Sequence, residues 1–289
     1  QTSARCSGVS GSSTPGGGFN VCERTSKLGF KGSEDLGNGL KAIWKLENTV
    51  RITDTGSTFG SHNGARGHWG SARNAYVGLA SDWGTVLVGR HDTPYKMAYY
   101  ASGIDMLGDS FMDTNALYGH QEWRRDDAIA YVSPNWNGLT IAAAVIPAEG
   151  ATSDGGSLND GLADSYSLGL MYSNNGIKLS AGYEDTQGEV GADSSNWMVG
   201  AGWSGNAIDI SAVYVDQEVE STFDMTSYAV SMSYTMGNNK LIGTVGQSDW
   251  DTDDGVGYGV AVQHMFSKRT SAYLGYSSTD AFLAHRTQT

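Results

Sequence analysis

From Tyr166 to Tyr276 nearly every segment alternates a large apolar residue with a small or polar one. Tyr166, Leu168, Leu170 and Tyr172 share one parity, as do Trp197, Val199, Ala201 and Trp203. Tyr228, Val230, Met232 and Tyr234 alternate with Ala229, Ser231, Ser233 and Thr235, and Tyr258, Val260 and Val262 with Gly257, Gly259 and Ala261. A period of two places each apolar set on one face of a β-strand. No alternation of strands with helical patterns occurs, which excludes α/β folds and leaves an all-β chain.

The connections alternate in length. Short ones carry hairpin chemistry, such as Asn38-Gly39, Asn137-Gly138, Asn175-Gly176 and Gly237-Asn238. The others, such as 53–69 and 150–163, are longer and rich in Gly, Ser and Asp. About sixteen strands are expected, starting near residues 1, 20, 38, 68, 84, 124, 138, 163, 176, 194, 206, 222, 239, 255, 270 and 281. An even number of antiparallel strands, short turns at one rim, long loops at the other and aromatics at the ends of apolar stripes describe a transmembrane β-barrel. Sixteen strands leave an aqueous channel rather than a filled interior. No stretch is long and apolar enough for a transmembrane helix: 128–148 is uncharged, but Pro134, Asn135, Asn137 and Gly138 interrupt it. The net charge of −13 argues against a nucleic-acid partner and fits a solvated acidic surface equally well. Gln1 follows no basic and apolar lead-in, as in a chain from which a leader has been removed.

One segment breaks the pattern. Residues 92–123, DTPYKMAYYASGIDMLGDSFMDTNALYGHQEW, separate the strand 84–91 from the strand 124–134 without a clear period. Long loops inside compact domains are functional or disordered, and the Tyr, Met and Leu content here argues for order. It carries Asp105, Asp109 and Asp113 and is followed by Arg124 and Arg125. The expectation is a loop folded into the barrel, narrowing it, within a single domain spanning 1–289. Tyr95, Tyr99, Tyr100 and Tyr118 are candidates either for stacking sugars or for packing the loop against the wall.

Several motifs, in order, resemble a known family. Ser26-Lys27-Leu28-Gly29-Phe30-Lys31-Gly32-Ser33-Glu34-Asp35-Leu36-Gly37-Asn38-Gly39 resembles the second strand and turn of Gram-negative general diffusion porins, the trimeric proteobacterial ones above all. Arg73-Asn74-Ala75-Tyr76-Val77-Gly78-Leu79, Trp83-Gly84 and Gly89-Arg90 are similar to the next strands. Asp105-Met106-Leu107 resembles the constriction loop, and Ala130-Tyr131-Val132-Ser133-Pro134 with Gly138-Leu139 the strand after it. The resemblance covers 27–139 and implies a homotrimer of 16-stranded barrels in the cell outer membrane. Lipid and lipopolysaccharide would be its surroundings, and ions and small hydrophilic solutes its cargo. It also implies a basic group of Lys27 (where the family usually has Arg), Arg73 and Arg124 facing acids Asp105 and Asp109. Lys31, Lys45, Glu47, Arg90, Asp113 and Arg125 are further lumen candidates, with Arg124 preferred over Arg125.

Parity gives the same inner positions from physics. Charge on the lipid face costs about 2–4 kcal/mol near the bilayer midplane for Arg or Lys, so with Leu28, Phe30, Trp44 and Tyr76 on that face, Lys27, Lys31, Lys45, Glu47 and Arg73 face the lumen. Opposed acids and bases would set ion preference. The net acidity favours cations and the local Lys and Arg cluster favours anions, so the sign stays open. Two departures from the family pattern stand at the ends: 1–10 is short for a first strand, and 281–289 lacks a terminal Phe, as in a chain incomplete at both ends.

Other chemistry is weakly supported. Cys6 and Cys22 flank a Gly/Ser stretch and are expected to form one disulfide, given the other signs of export. The six histidines show no ligand spacing, and 249–255 matches a calcium loop poorly. No nucleophile motif or phosphate cradle is present. No metal, no cofactor and no enzymatic activity are expected. The function expected is passive diffusion; a substrate-specific channel or a surface adhesin are the alternatives.

Overall fold

The computed structural model describes residues 26–50, 69–119, 122–147, 161–187, 193–220, 223–251 and 253–280. The strands expected near residues 1 and 281, and both cysteines, lie outside these ranges. The described chain runs β1 (Lys27–Gly37), β2 (Leu40–Val50), β3 (Trp69–Ser81), β4 (Gly84–Asp92), α1 (Pro94–Ala101), α2 (Thr114–Tyr118), β5 (Arg124–Val132) and β6 (Leu139–Ile146). It continues with β7 (Ser165–Asn174), β8 (Ile177–Thr186), β9 (Ser194–Gly205), β10 (Ile208–Val219), β11 (Phe223–Met236), β12 (Asn239–Trp250), β13 (Asp253–Ser267) and β14 (Thr270–Thr279). Each strand pairs antiparallel with its neighbours in sequence, giving one 14-stranded sheet in simple up-and-down order with β1 and β14 at its ends.

The turns follow from residue type. Asn38, Asn137, Asn175 and Asn206 all take positive φ, a conformation Asn tolerates and a two-residue hairpin demands. The acidic run at 249–255 belongs to strand ends: pairing between β12 and β13 continues to Trp250↔Asp253, which leaves no calcium-type loop.

The two faces are inverted relative to a soluble protein. On β11, Tyr228, Val230, Met232 and Tyr234 are exposed while Ser227, Ser231 and Ser233 are buried. On β12, Leu241 and Val245 are exposed while Thr244 and Ser248 are buried. In water each such apolar side chain would forgo about 1.5–3 kcal/mol of burial. The pattern fits an apolar solvent on the outside.

The buried serines lie under the segment between β4 and β5. That segment, irregular by sequence, contains two short helices. Thr93 caps α1 by accepting a hydrogen bond from the Lys96 amide (3.3 Å), and Pro94 sits in its first turn, where its missing N–H costs nothing. Tyr95, Ala98 and Tyr99, spaced i, i+3, i+4, are fully buried on one side. Asp113 caps α2 through the Asn115 amide (3.0 Å), and Gly119 ends it at φ +77°. α1 rests on β6–β9 and α2 on β12–β14. Together they enclose the main apolar cluster, which includes Tyr99, Ile104, Met112, Tyr118, Met198 and Ile242.

The sheet makes room for the loop with small residues. A Cβ on Gly200 would meet the Ser102 side chain, and one on Gly202 the Ser102 carbonyl. At the second anchor, Gly246 lies against the Tyr118 ring and Gly257 against the Leu117 carbonyl. Side-chain hydroxyls satisfy the loop's backbone: Ser211 Oγ donates to Ser102 O, Ser248 Oγ to Tyr118 O (2.5 Å each) and Ser277 Oγ to Phe111 O (2.7 Å). A loop pressed on a sheet needs such partners, because an unpaired buried carbonyl costs about 1–3 kcal/mol.

Candidate functional site

Beyond the reach of the loop, the loop-bearing face of β1–β3 carries charge. In β2, Trp44 and Leu46 are exposed on the apolar side, and Lys45 and Glu47 alternate with them onto the other. Lys45 Nζ lies 3.0 Å from Glu47 Oε2, and Arg73 Nε donates to Glu47 Oε1 at 3.1 Å. Lys31 pairs directly with Lys45 across the strands, and Gly29 with Glu47, which places Lys27 and Lys31 on this same face. Lys27, Lys45 and Arg73 thus act on one carboxylate, with Lys31 directly beside Lys45. Like charges directly opposite oppose pairing, so Lys31 against Lys45 is a feature that strand stability does not explain.

Arg73 arrives there by a different route from simple alternation. Tyr76 is on the loop-bearing face, opposite Lys45 and packed with Leu87, Ala130 and Ala144, rather than on the apolar face as expected. Regular alternation from Tyr76 would turn Arg73 away. However, Leu46 pairs with Ala75 and Asn48 with Ala72, so Arg73 and Asn74 both oppose Glu47 in a β-bulge. The extra residue re-aims both side chains.

Asn74 opens a second group. It donates to Asp92 Oδ2 (2.8 Å) and accepts from Arg124 Nε (2.8 Å), while Arg124 Nη2 lies 2.6 Å from Asp92 Oδ1. Lys96 reaches both Asp92 (3.5 Å) and Glu122 (3.1 Å), and Tyr100 donates to Glu122 at 2.6 Å. This network ties β3, β4, α1 and the start of β5 together. Sequence reasoning did not single out Lys96, Asp92 or Glu122; only the i, i+4 spacing of Asp92 and Lys96 offered a signal.

The remaining candidates separate. Arg125 donates to Thr186 Oγ1 (3.1 Å), stacks 5.0 Å over Trp123 and lies in the field of Glu184, which is buried under α1. Arg90 shares its strand parity with exposed Val86 and Val88 and pairs with the exposed Asp126, so it stands on the other face from Lys45 and Glu47. Asp113 is buried as the α2 cap. Tyr95, Tyr99 and Tyr118 are fully buried between loop and sheet, and so pack the loop rather than offer rings to a solute.

Asp109 is exposed, and Asp105 is partly buried between the two anchors. Burial first, then the nearby Asp113, Asp109 and Glu122, push the Asp105 carboxyl up to about 7; a backbone hydrogen bond from Gly108 opposes this. Among the described residues no ion pair joins Asp105 or Asp109 to the lysines of β1 and β2. The lysines of β1 and β2 and the carboxylates of the loop are thus two separate groups of opposite charge. No cluster of metal-ligating residues occurs among the described residues.

Residues 4–281 match the family described as Gram-negative porin. The chain is 28% identical over 163 residues to a major outer membrane protein P.IB of Neisseria gonorrhoeae, covering 55% of this chain and 41% of that protein. It therefore spans about two-fifths of that relative's length. It is 27% identical over 285 residues to the P.IB protein of Neisseria lactamica, covering 88% and 77%. Among solved structures it resembles the anion-selective porin from Comamonas acidovorans, with a TM-score of 0.72, 21% identity and coverage of 90% and 80%. That likeness bears on the fold.

Proposed function

The chain belongs to the Gram-negative porin family, and from that premise we propose that it forms a water-filled channel of the cell outer membrane for passive diffusion of ions and small hydrophilic solutes. The observation that carries this is the inversion of the sheet: apolar side chains exposed on one face, serines, glycines and charges on the other, with a structured loop laid across the second. The apolar face meets lipid and the loop narrows an aqueous lumen.

The fourteen described strands are fourteen of a closed sixteen. The physical support is that an open sheet edge cannot stand in hydrocarbon, where unpaired N–H and C=O groups each cost several kcal/mol. The functional unit is a homotrimer, and no chemical step takes place. Ions are filtered between Lys27, Arg73 and Arg124, joined by Lys31 and Lys45, and the loop acids Asp105 and Asp109. Arg124 is held by Asp92 and Asn74, so it contributes less field than Lys27 and Lys31. Four cations on the face that carries Glu47 as their counter-charge favour anions along β1–β3.

Reconstitution of the detergent-purified protein into a planar bilayer under a salt gradient tests this. Conductance steps grouped in threes, with a definite reversal potential, are expected. Protein that keeps a β-rich circular dichroism spectrum but gives no conductance would overturn the channel.

A further inference from the structure

The cations of the candidate site stand on β1–β3, on the loop and at the start of β5. β8 supplies another. Ser180, Gly182 and Glu184 share one parity and lie under the loop, so Lys178, two residues before Ser180, faces the same side. It sits where the cover ends and is only partly buried. The loop meets it at Gly103, the residue that follows the α1 stop and takes φ +82°. A Cβ at Gly103 would fall 3.0 Å from Lys178 Nζ and 3.4 Å from its Cδ. The loop backbone therefore passes directly against the Lys178 side chain, and Gly103 leaves the space that the ammonium occupies.

The electrostatic setting is specific. Lys240, on the same face in β12, is compensated by Asp209 at 3.3 Å. Lys178 has no ion-pair partner among the described residues. Two residues beyond Gly103 is Asp105, which shares the loop with the carboxylates Asp109, Asp113 and Glu122 that act on it. An uncompensated cation held at the neck of an acidic loop acts on whatever passes that loop.

We propose that Lys178 is a specificity-determining residue of the channel, a cation contributed from beneath the loop that offsets the loop acids and raises anion permeability. This rests on the channel reading above. Its field reaches the loop segment from the opposite side to the lysines of β1 and β2. The path is thus not a simple gap between a basic wall and an acidic loop; its acidic side carries a cation of its own.

The test measures reversal potentials across a potassium chloride gradient for the unmodified protein, Lys178→Gln, Lys178→Arg, Gly103→Ala and Lys240→Gln. Lys178→Gln is expected to raise the cation-to-anion permeability ratio about twofold at about 0.1 M salt, the size of one unit charge acting through water over several ångströms, and the shift should shrink at about 1 M as screening shortens its range. Lys178→Arg should retain the original ratio. Gly103→Ala, which displaces the ammonium without removing it, should move the ratio in the same direction by less, and Lys240→Gln should move it less than Lys178→Gln. A Lys178→Gln channel of normal conductance and unshifted ratio would reduce Lys178 to a tether for the loop and overturn the proposal alone. Absence of conductance from the unmodified protein would overturn the channel itself, and this proposal with it.

Discussion

The half of the sheet that carries the loop and the half beside it are built from the same alternating strands, yet their loop-bearing faces differ in kind. Under the loop, from β7 to β14, that face is mostly glycine, serine and apolar residues, with hydroxyls aimed at loop carbonyls and charge at isolated positions such as Lys178, Glu184 and the Lys240–Asp209 pair. Beside it, on β1–β3, the face is lysine, arginine and glutamate. A strand position covered by another backbone must offer little volume and a donor; one left in water can hold a charge at low cost. The loop thus divides one surface into a mechanical part and an electrical part.

The largest effect should come from crowding the mechanical part. Gly246→Val would drive a side chain into Tyr118 and the Ala229 side chain; overpacking of this kind costs about 1–3 kcal/mol. A lowered unfolding temperature in detergent with noisier open-channel current is expected, and unchanged thermal stability and quiet current would show that the second anchor does not hold the loop.

Next is the pH dependence of the loop. The Asp105 carboxyl lies at about 7 rather than 3.8. A carboxyl raised on folding favours the folded state when protonated, so its contribution is complete below the unfolded value and is lost as pH rises through about 7. Loop seating should therefore be firmer, and cation preference weaker, at about pH 5 than at about pH 8. Asp105→Asn should flatten both curves; a reversal potential that titrates alike in the variant would remove Asp105 from the filter.

The electrical half predicts that function opposes stability. Lys31→Gln relieves the direct pairing of Lys31 with Lys45 and should stabilise the protein by about 0.2–1 kcal/mol while shifting selectivity toward cations. A loss of stability would contradict the register-based account. The smallest effect is expected of Arg90→Gln. Arg90 pairs with Asp126 and stands on the other strand face from Lys45 and Glu47, so the reversal potential should not move.

Local chemistry determined much of this. Period-two alternation and Asn-Gly turns located the strands from β1 to β14 in their order, because side-chain parity and left-handed turn conformations are properties of the chain itself. The segment 92–123 stood out for the same reason, as a stretch lacking that period. Lys45 and Glu47 alternate with exposed Trp44 and Leu46 in an unbroken stretch of strand, so their side could be read directly.

Tertiary structure decided the rest. Arg73 meets Glu47 through a bulge whose existence depends on how Ala72 and Ala75 pair with β2, and Tyr76 turns inward to pack on residues from β4, β5 and β6. Neither is encoded within β3 alone. The loop's helices are short and stabilised by distant strands, as where Tyr118 meets Thr244 at 2.8 Å, and helices this short hold only by tertiary packing. The Asp92–Asn74–Arg124 network and the seat of Lys178 against Gly103 join residues far apart in sequence. Periodicity shows which side of a strand a residue takes; only the assembled sheet shows what waits on that side.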